Sequence, residues 1–321
     1  VEFLVRDNGI VELADFTPTK LAGAAEAKEH YETNEDNFHP LLEVQITGKS
    51  TENMHGYKHN FSSASLDFRY VTHQMEEKDK TKELVIVLRT DYAMEAVYHM
   101  KFFKGIPVVQ VWVEMKNQSQ EEIGLEYVSS FVYRSVSGNG VLPYFEKTDI
   151  YTPYNSWCCE ARWKKDDIRD LNLTGMPVNG FNMPGFGINR YYYGGRGSWS
   201  SCEYLPMGFA HDRETNETYC FEIENSGQWH VEYGSEPGSG LYLALSGPTE
   251  AEHGWWKNLK PGDTFVTVPV AFGTVSGGIS EAAAALTRYR RAIRRPNEDD
   301  EKLNVVFNDY MNCLMGDPTE E

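Results

Sequence analysis

The segment from residue 151 to residue 209 is dense in aromatic rings and side-chain amides. A flat ring face packs against the C–H groups of a sugar, and amides donate to and accept from its hydroxyls. We therefore interpret part of this segment as long loop beside a ligand or an interface, with Trp157 and Trp199 as the candidates for stacking. For any single ring, core packing is the alternative. The rings and amides are Tyr151, Tyr154, Asn155, Trp157, Trp163, Asn179, Phe181, Asn182, Phe186, Asn189, Tyr191, Tyr192, Tyr193, Trp199 and Tyr204.

Other spacings that could carry chemistry are weaker. His55 and His59 would share one helix face and could bind a metal, but the zinc-protease glutamate is absent and Gly56 favours a loop. Cys158 and Cys159 are adjacent, and two ordinary thiols are the simpler interpretation. The glycines of residues 194–197 lack the lysine of a phosphate-binding loop. We expect no metal site and no phosphate site.

The charge of the chain excludes some classes of partner. Its 321 residues include 48 acidic side chains against 30 lysines and arginines, a formal net charge of −18. A nucleic-acid binder needs a basic face, and an acidic surface disfavours anionic membranes. No run approaches the roughly 18 apolar residues of a spanning helix. We therefore expect neither nucleic acid nor membrane as a partner.

The cysteines indicate a compartment. There are five, and none belongs to a CxxC pair, so neither a disulfide framework nor a cysteine-based zinc site is indicated. Free thiols are typical of a reducing environment, and we expect a cytoplasmic protein. They are Cys158, Cys159, Cys202, Cys220 and Cys313.

The elements that must position these side chains are strands. Short or alternating apolar runs recur without a long helical period before Ser280, and turn signals such as Asn139-Gly140 separate them. Many strands over some 270 residues predict an all-β fold, a large antiparallel sandwich covering residues 1–279. The runs lie at residues 41–46, 84–88, 108–113, 125–128, 228–233, 241–245 and 264–270.

The last 42 residues differ. Residues 280–295 predict a helix that begins with Ser280 as N-cap and ends at Pro296, and a polar linker continues to residue 302. Residues 303–307 predict a strand, and Gly316, Asp317 and Pro318 predict the start of another helix. Because a strand followed by a helix opens a β/α domain, we expect residues 303–321 to begin a second domain of a longer protein.

Seven blocks, in order along the chain, carry a resemblance to a known family. They resemble the N-terminal half of bacterial α-galactosidases of glycoside hydrolase family 36. The resemblance implies a galactose-mutarotase-like β-supersandwich, a linking helix and linker at residues 280–302, and a catalytic (β/α)8 barrel whose first strand is residues 303–307. The blocks are LEVQITG at 42–48, MHGYKH at 54–59, DFRYVTH at 67–73, YNSW at 154–157, GSWSSCEYLPMG at 197–208, ENSGQW at 224–229 and VVFNDYMN at 305–312.

The resemblance also implies an activity. The family removes terminal α-linked galactose with retention, using two aspartates about 5–5.5 Å apart. In the family both lie on later barrel strands, so no residue here inherits a catalytic role, and this piece is expected to be catalytically silent. No cofactor and no metal are implied. The implied partners are a galactosyl oligosaccharide, the barrel in cis and further copies of the protein, often as a tetramer.

Six residues are the candidates for substrate contact. By resemblance, Asp309 and Tyr310 follow the first barrel strand, where such barrels place their active sites. Asp67 and Arg69 align with a loop that reaches a neighbouring subunit's active site, and a local polar pair is the alternative. Trp157 and Trp199 are the stacking candidates. An exposed turn carboxylate is the alternative for Asp309.

Two other functions remain open from the sequence. One is a stand-alone module for carbohydrate binding or oligomerisation. The other is a mutarotase-like sugar epimerase, which needs a Glu base and a His acid across a sugar ring. The sequence does not single out a pair among Glu203, Glu224, His211 and His230.

Overall fold

The computed structural model describes residues 1–18, 39–49, 58–60, 62–173, 189–235 and 240–306. His55, Asp309, Tyr310 and the predicted helix start after Gly316 lie outside these ranges. The described residues are mostly antiparallel strands, so the predicted all-β sandwich is confirmed. The strands are β1 Glu2–Val5, β2 Val11–Asp15, β3 Val44–Ile46, β4 Arg69–Lys78, β5 Thr81–Arg89, β6 Met94–Phe103, β7 Ile106–Asn117, β8 Ile123–Tyr133, β9 Thr148–Tyr154, β10 Arg162–Asp167, β11 Arg190–Gly195, β12 Met207–Asp212, β13 Glu217–Ile223, β14 Trp229–Ser235, β15 Leu241–Ser246, β16 Lys257–Leu259, β17 Thr264–Val266 and β18 Val270–Ser276.

Two large sheets and one hairpin organise these strands. In the described part of the chain, the larger sheet has ten strands in the order β10-β9-β12-β13-β18-β7-β6-β5-β4, with β17 also pairing with β7. The smaller sheet has six, in the order β11-β14-β15-β8-β16, with β3 also pairing with β8. Strands β1 and β2 form the separate hairpin.

The core lies between the two large sheets. Side chains alternate along each strand, so every second residue enters the space between the sheets. Phe131 of β8 meets Phe272 of β18 with ring centroids 4.5 Å apart, and Tyr133 of β8 meets Tyr219 of β13 at 5.8 Å. All four rings are buried. Packing across the sheets, rather than strand propensity alone, therefore stabilises the sandwich.

A long helix covers the outer face of the larger sheet. The described helices are α1 Tyr144–Lys147, α2 Glu250–His253, α3 Ile279–Ile293 and α4 Glu298–Lys302, with a single 3-10 turn at Ser65–Asp67. Helix α3 packs Ala282, Ala285 and Tyr289 against Val108 and Cys220 of the sheet. Within the described residues, none of the helices is both long and apolar enough to span a bilayer.

Two predictions near this helix are wrong in detail. The N-cap is Gly278, not Ser280, because the Gly278 N–H donates to the Glu281 carboxylate at 2.9 Å and the helix begins earlier. Residues 298–302 form α4 rather than a linker, since the Asn297 side chain accepts from the Asp299 N–H at 3.1 Å and caps a helical turn.

The predicted first barrel strand stays a prediction. Leu303 has a left-handed backbone at the end of α4, and residues 304–306 are exposed without regular structure. Strands form by pairing, and no strand pairs with this segment in the part of the chain that the structure describes. Phe307 lies outside the described residues.

Removing the Tyr289 hydroxyl should loosen α3 from the sheet. This buried hydroxyl donates to the Glu224 carboxylate, which also accepts from Gln110 Nε2 at 2.7 Å. Tyr289→Phe is expected to lower the free energy of unfolding by about 1–2 kcal/mol in urea denaturation. The control Tyr192→Phe alters an exposed ring and should change little. Equal effects of the two substitutions would contradict the assigned role of Tyr289.

Candidate functional site

The tip of the β9–β10 hairpin holds Trp157 in solvent, with 85% of its surface exposed. The backbones of Ser156 and Cys159 exchange hydrogen bonds of 3.3 and 3.0 Å, which closes a tight turn around Trp157 and Cys158. Cys158 has a φ of 60°, a left-handed conformation that a cysteine rarely adopts. Because of this turn, the indole lies in solvent and does not pack in the core.

A second loop, residues 196–206 between β11 and β12, carries Trp199, which is 72% exposed. Buried Trp229 of β14 donates from Nε1 to the Ser200 carbonyl at 2.6 Å. Gln228 donates to the Arg196 carbonyl at 2.7 Å. These bonds hold the loop backbone on both sides of Trp199. The backbone that carries the exposed indole is therefore held in position.

Asn155 joins the two loops. Its Nδ2 donates to the Ser201 carbonyl at 2.5 Å, and its backbone N–H donates to the Glu203 carbonyl at 2.8 Å. Its Oδ1 accepts from the Ala161 N–H at 2.9 Å, within its own loop. We call residues 155–161 and 196–206 the tryptophan loops. Their two exposed indoles therefore lie on adjoining loops, and contact with a ligand stays a prediction.

A buried polar cluster lies on the outer face of the smaller sheet. Trp229, Val231 and Tyr233 of β14 belong to the core between the sheets, so His230 and Glu232 point to the opposite face. Both are buried there, at 1% and 0% exposure, together with His59. We call His59, His230 and Glu232 the His–Glu cluster.

The Glu232 carboxylate organises this cluster. Its Oε1 accepts from the His59 backbone N–H at 2.8 Å and from the Tyr242 hydroxyl at 2.6 Å. Its Oε2 accepts from Arg190 at 2.8 Å and lies 3.4 Å from His230 Nε2. Burial alone would raise the pKa of Glu232, but the contact with His230 and the charge of Arg190 hold that pKa below its usual value. The carboxylate is therefore ionised.

The imidazole of His59 is neutral at physiological pH. Complete burial lowers the pKa of His59 to about 3, against the opposing effect of the Glu232 charge. The ring stacks on Tyr127 with centroids 4.3 Å apart and meets the His230 ring edge-on at 4.9 Å. Two ring contacts thus fix its orientation.

Ion pairs connect the His–Glu cluster to the second tryptophan loop. Arg190 pairs with Glu232 at 2.8 Å and with Glu252 of α2 at 2.6 Å. Glu252 also pairs with Arg196, the first residue of the loop, at 2.8 Å. A continuous chain of ion pairs therefore runs from Glu232 through Arg190 and Glu252 to Arg196.

The structure does not bring all the predicted site residues together. Asp67 and Arg69 lie beside the edge strand β4, seven strand steps from β9, or about 34 Å along the sheet at about 4.8 Å per step. Asp67 pairs with Lys49, and Arg69 donates to the carbonyls of Leu66 and Phe68. Within one chain, these two residues belong to a local polar network away from the tryptophan loops.

The epimerase candidates have different surroundings, and no Glu–His contact is found among Glu203, Glu224, His211 and His230 in the described part of the chain. Glu224 is held by Gln110 and Tyr289 near α3, and Glu203 is exposed in the second tryptophan loop. His211 contacts the Thr218 hydroxyl at 2.9 Å on the larger sheet. His230 instead meets Glu232, which the sequence interpretation missed. The alternation of residues 228–233 was the available signal, since period two puts both side chains on one face.

The thiols should divide into two classes. Cys158, Cys159 and Cys202 are exposed on the tryptophan loops, whereas burial raises the pKa of Cys220 to about 12. In a Cys313→Ser variant at pH 8, a disulfide reagent is expected to titrate three thiols quickly and the fourth only after unfolding, because the thiolate is the reactive form. A fourth fast thiol in the folded protein would contradict the placement of Cys220.

Comparison with known proteins gives a likeness of structure. The sequence matches no protein-family model and no curated protein. The α-galactosidase AgaA A355E of glycoside hydrolase family 36 from Geobacillus stearothermophilus, solved with 1-deoxygalactonojirimycin, aligns with a TM-score of 0.70 at 14% identity, over 94% of this chain and 42% of that chain. AgaB of the same organism gives 0.66 at 15%, over 96% and 43%.

A third solved structure, the α-galactosidase from Lactobacillus brevis, aligns with a TM-score of 0.60 at 13% identity, over 90% of this chain and 40% of that chain. Variants of AgaA were also solved in complex with raffinose and with stachyose. The chain spans about two fifths of the length of these enzymes. At such identities the likeness establishes the fold, and this chain therefore shares the fold of a part of the family 36 α-galactosidases.

Proposed function

We propose that the chain is the sandwich part of a retaining α-galactosidase. It supports a catalytic barrel in cis, holds subunits together, and presents its tryptophan loops to a galactosyl oligosaccharide. The fold shared with family 36 α-galactosidases over 94% of the chain carries this proposal. Two exposed indoles on mutually bonded loops add a surface suited to a sugar ring.

In this proposal the chemistry belongs to the barrel. Retaining hydrolysis uses one carboxyl as nucleophile and one as acid and base, about 5–5.5 Å apart. Of the carboxylates considered for sugar chemistry, Glu224 is bonded to Gln110 and Tyr289, and Glu203 is exposed in the second tryptophan loop. The sandwich contributes by binding the substrate away from the cleaved bond. Such remote contacts help to orient that bond for cleavage.

The decisive experiment is hydrolysis of a chromogenic aryl α-galactoside. The 321-residue chain is compared with the same protein extended through its next domain. Activity only in the extended protein is expected. Activity in the 321-residue chain would place the catalytic carboxyls within it and overturn the proposal. Absence of hydrolysis by both proteins would exclude α-galactosidase as the function.

The tryptophan loops are tested in the extended protein with raffinose. Trp199→Ala and Trp157→Ala are each expected to raise KM about tenfold, equivalent to roughly 1.4 kcal/mol, with kcat changed less. Trp256→Ala is the matched control, because Trp256 is 63% exposed but lies outside both loops, just before β16. Unchanged KM in both loop variants would contradict the proposed contact.

A role for Asp67 requires a neighbouring subunit. Asp67→Ala in the extended protein is expected to weaken substrate affinity or assembly while the fold persists, because Asp67 lies in the loop that by resemblance reaches a neighbour. Lys49→Ala removes its ion-pair partner and tests whether the pair itself matters. Unchanged kinetics together with an unchanged oligomer mass would exclude this role.

A stand-alone sugar-binding module is the second candidate, favoured by the exposure of both indoles. Saturable binding of a galactoside by the 321-residue chain, lost in Trp199→Ala, would support that module. Absence of binding by the chain alone would favour the supporting role.

A further inference from the structure

The His–Glu cluster has the composition of a metal site. His59, His230 and Glu232 each offer one ligand atom, and these three atoms lie within 4.8 Å of one another among buried residues. Two imidazoles with one carboxylate form a ligand set that binds zinc in proteins, with a fourth position left for water. No other group of three or more such side chains meets this spacing within the described residues.

The distances suit a tetrahedral ion. Zinc lies about 2.0–2.2 Å from nitrogen and oxygen ligands, which places two ligand atoms of a tetrahedron about 3.3 Å apart. His230 Nε2 and Glu232 Oε2 are separated by 3.4 Å. This distance is long for an N–H···O hydrogen bond but matches one edge of the tetrahedron. The three ligand atoms lie within 4.8 Å of one another, so the His59 ring would complete the set after a shift of about 1.5 Å.

The hydrogen bonds of Glu232 leave the required position open. A carboxylate has about four lone-pair sites. Short bonds from the His59 N–H, Tyr242 and Arg190 occupy three of them. The fourth, on Oε2, faces His230. Tyr242 and Arg190 thereby orient the carboxylate from outside the ligand set, as the partners of metal ligands do in known sites.

The local charge also favours a cation. The carboxylates of Glu232 and Glu252 face the single largely buried guanidinium of Arg190, while Arg196 lies 64% exposed. Arg196 balances the second carboxylate only from the solvent side, so the buried part of this ion-pair network holds two carboxylates and one guanidinium.

We propose that His59, His230 and Glu232 bind one divalent transition-metal ion. The ion is Zn²⁺, and Co²⁺ can substitute for it. The ion would link residues 58–60 to strand β14, two parts of the chain more than 170 residues apart, and would stabilise their contact. This role is structural and independent of galactoside hydrolysis.

The test uses the chain stripped with EDTA and then titrated with Zn²⁺. Calorimetry is expected to show one tight equivalent, and the Tm should rise with free zinc as mass action requires. Titration with Co²⁺ should give the strong visible absorption of a tetrahedral site. His230→Gln should abolish both signals, and Tyr242→Phe should weaken affinity about tenfold.

Two controls keep the result interpretable. His73→Ala removes a histidine exposed on β4 and should leave the tight equivalent intact. Circular dichroism of His230→Gln establishes that the variant folds. If His230→Gln does not fold, the Co²⁺ spectrum of the unmodified chain decides whether a tetrahedral metal site is present. A weak octahedral spectrum, no tight equivalent, or binding retained by a folded His230→Gln would overturn the proposal.

Discussion

Replacing Glu232 by alanine is expected to lower the free energy of unfolding by about 3–5 kcal/mol. The carboxylate is fully buried, and it accepts short hydrogen bonds from Tyr242, Arg190 and the backbone of His59. Its loss removes one of the two carboxylates that pair with Arg190 among the described residues and leaves the pair with Glu252. Urea denaturation in the presence of EDTA, followed by circular dichroism, measures the change.

The control for this experiment is an exposed pair. Glu77 and Lys82 are bonded at 3.0 Å, with side chains 65% and 54% exposed. Glu77→Ala is expected to cost less than about 1 kcal/mol, since solvent screens such pairs. Similar losses for Glu77→Ala and Glu232→Ala would show that the His–Glu cluster contributes no more than an ordinary surface contact.

Trp229→Ala is expected to cost about 3–5 kcal/mol and to release the second tryptophan loop. The indole is fully buried between the sheets, meets Tyr193 at a centroid distance of 5.9 Å, and donates to the Ser200 carbonyl. One substitution therefore removes core volume and the main anchor of the loop. Urea denaturation measures the first effect, and trypsin cleavage after Arg196 measures the second.

The two effects of Trp229 can be separated. Trp229→Phe keeps an aromatic ring in the core but removes the N–H, so it should accelerate cleavage after Arg196 at a smaller cost, about 1–2 kcal/mol. Trp256→Phe, on an exposed side chain, should change neither quantity. Unchanged cleavage in Trp229→Phe would show that the loop is held by other contacts, such as that from Gln228.

The apolar runs in the sequence predicted eight of the eighteen described strands. The runs at residues 84–88, 108–113 and 241–245 lie within β5, β7 and β15, because apolar and β-branched residues there pack on two buried sheets. The run at 264–270 was taken as one strand. It divides into β17 and the start of β18, with residues 267–269 between them. Proline lacks the N–H that a continuous ladder needs, so Pro269 was the signal for this division.

The candidate site was predicted less completely. The aromatic and amide composition pointed to the tryptophan loops, and the structure places both indoles in solvent. The alternation along β14 puts His230 and Glu232 on one face, but the sequence could not reveal that this face is buried, since such alternation is typical of a polar face in water. Burial of that face depends on segments distant in sequence, such as residues 58–60. Which long-range contacts form is set by the whole fold and leaves no local pattern.

Strand β4 gives the larger sheet an edge that is open along residues 71–78. In the described part of the chain it pairs with β5 on one side only, and residues 71–78 are exposed. Such an edge is a template on which another extended chain can add, the first step of aggregation. Glu76, Glu77 and Lys78 place charges along it, and charges on an edge oppose that addition. Neutralising these three side chains would therefore endanger the solubility of the protein before it affected its fold.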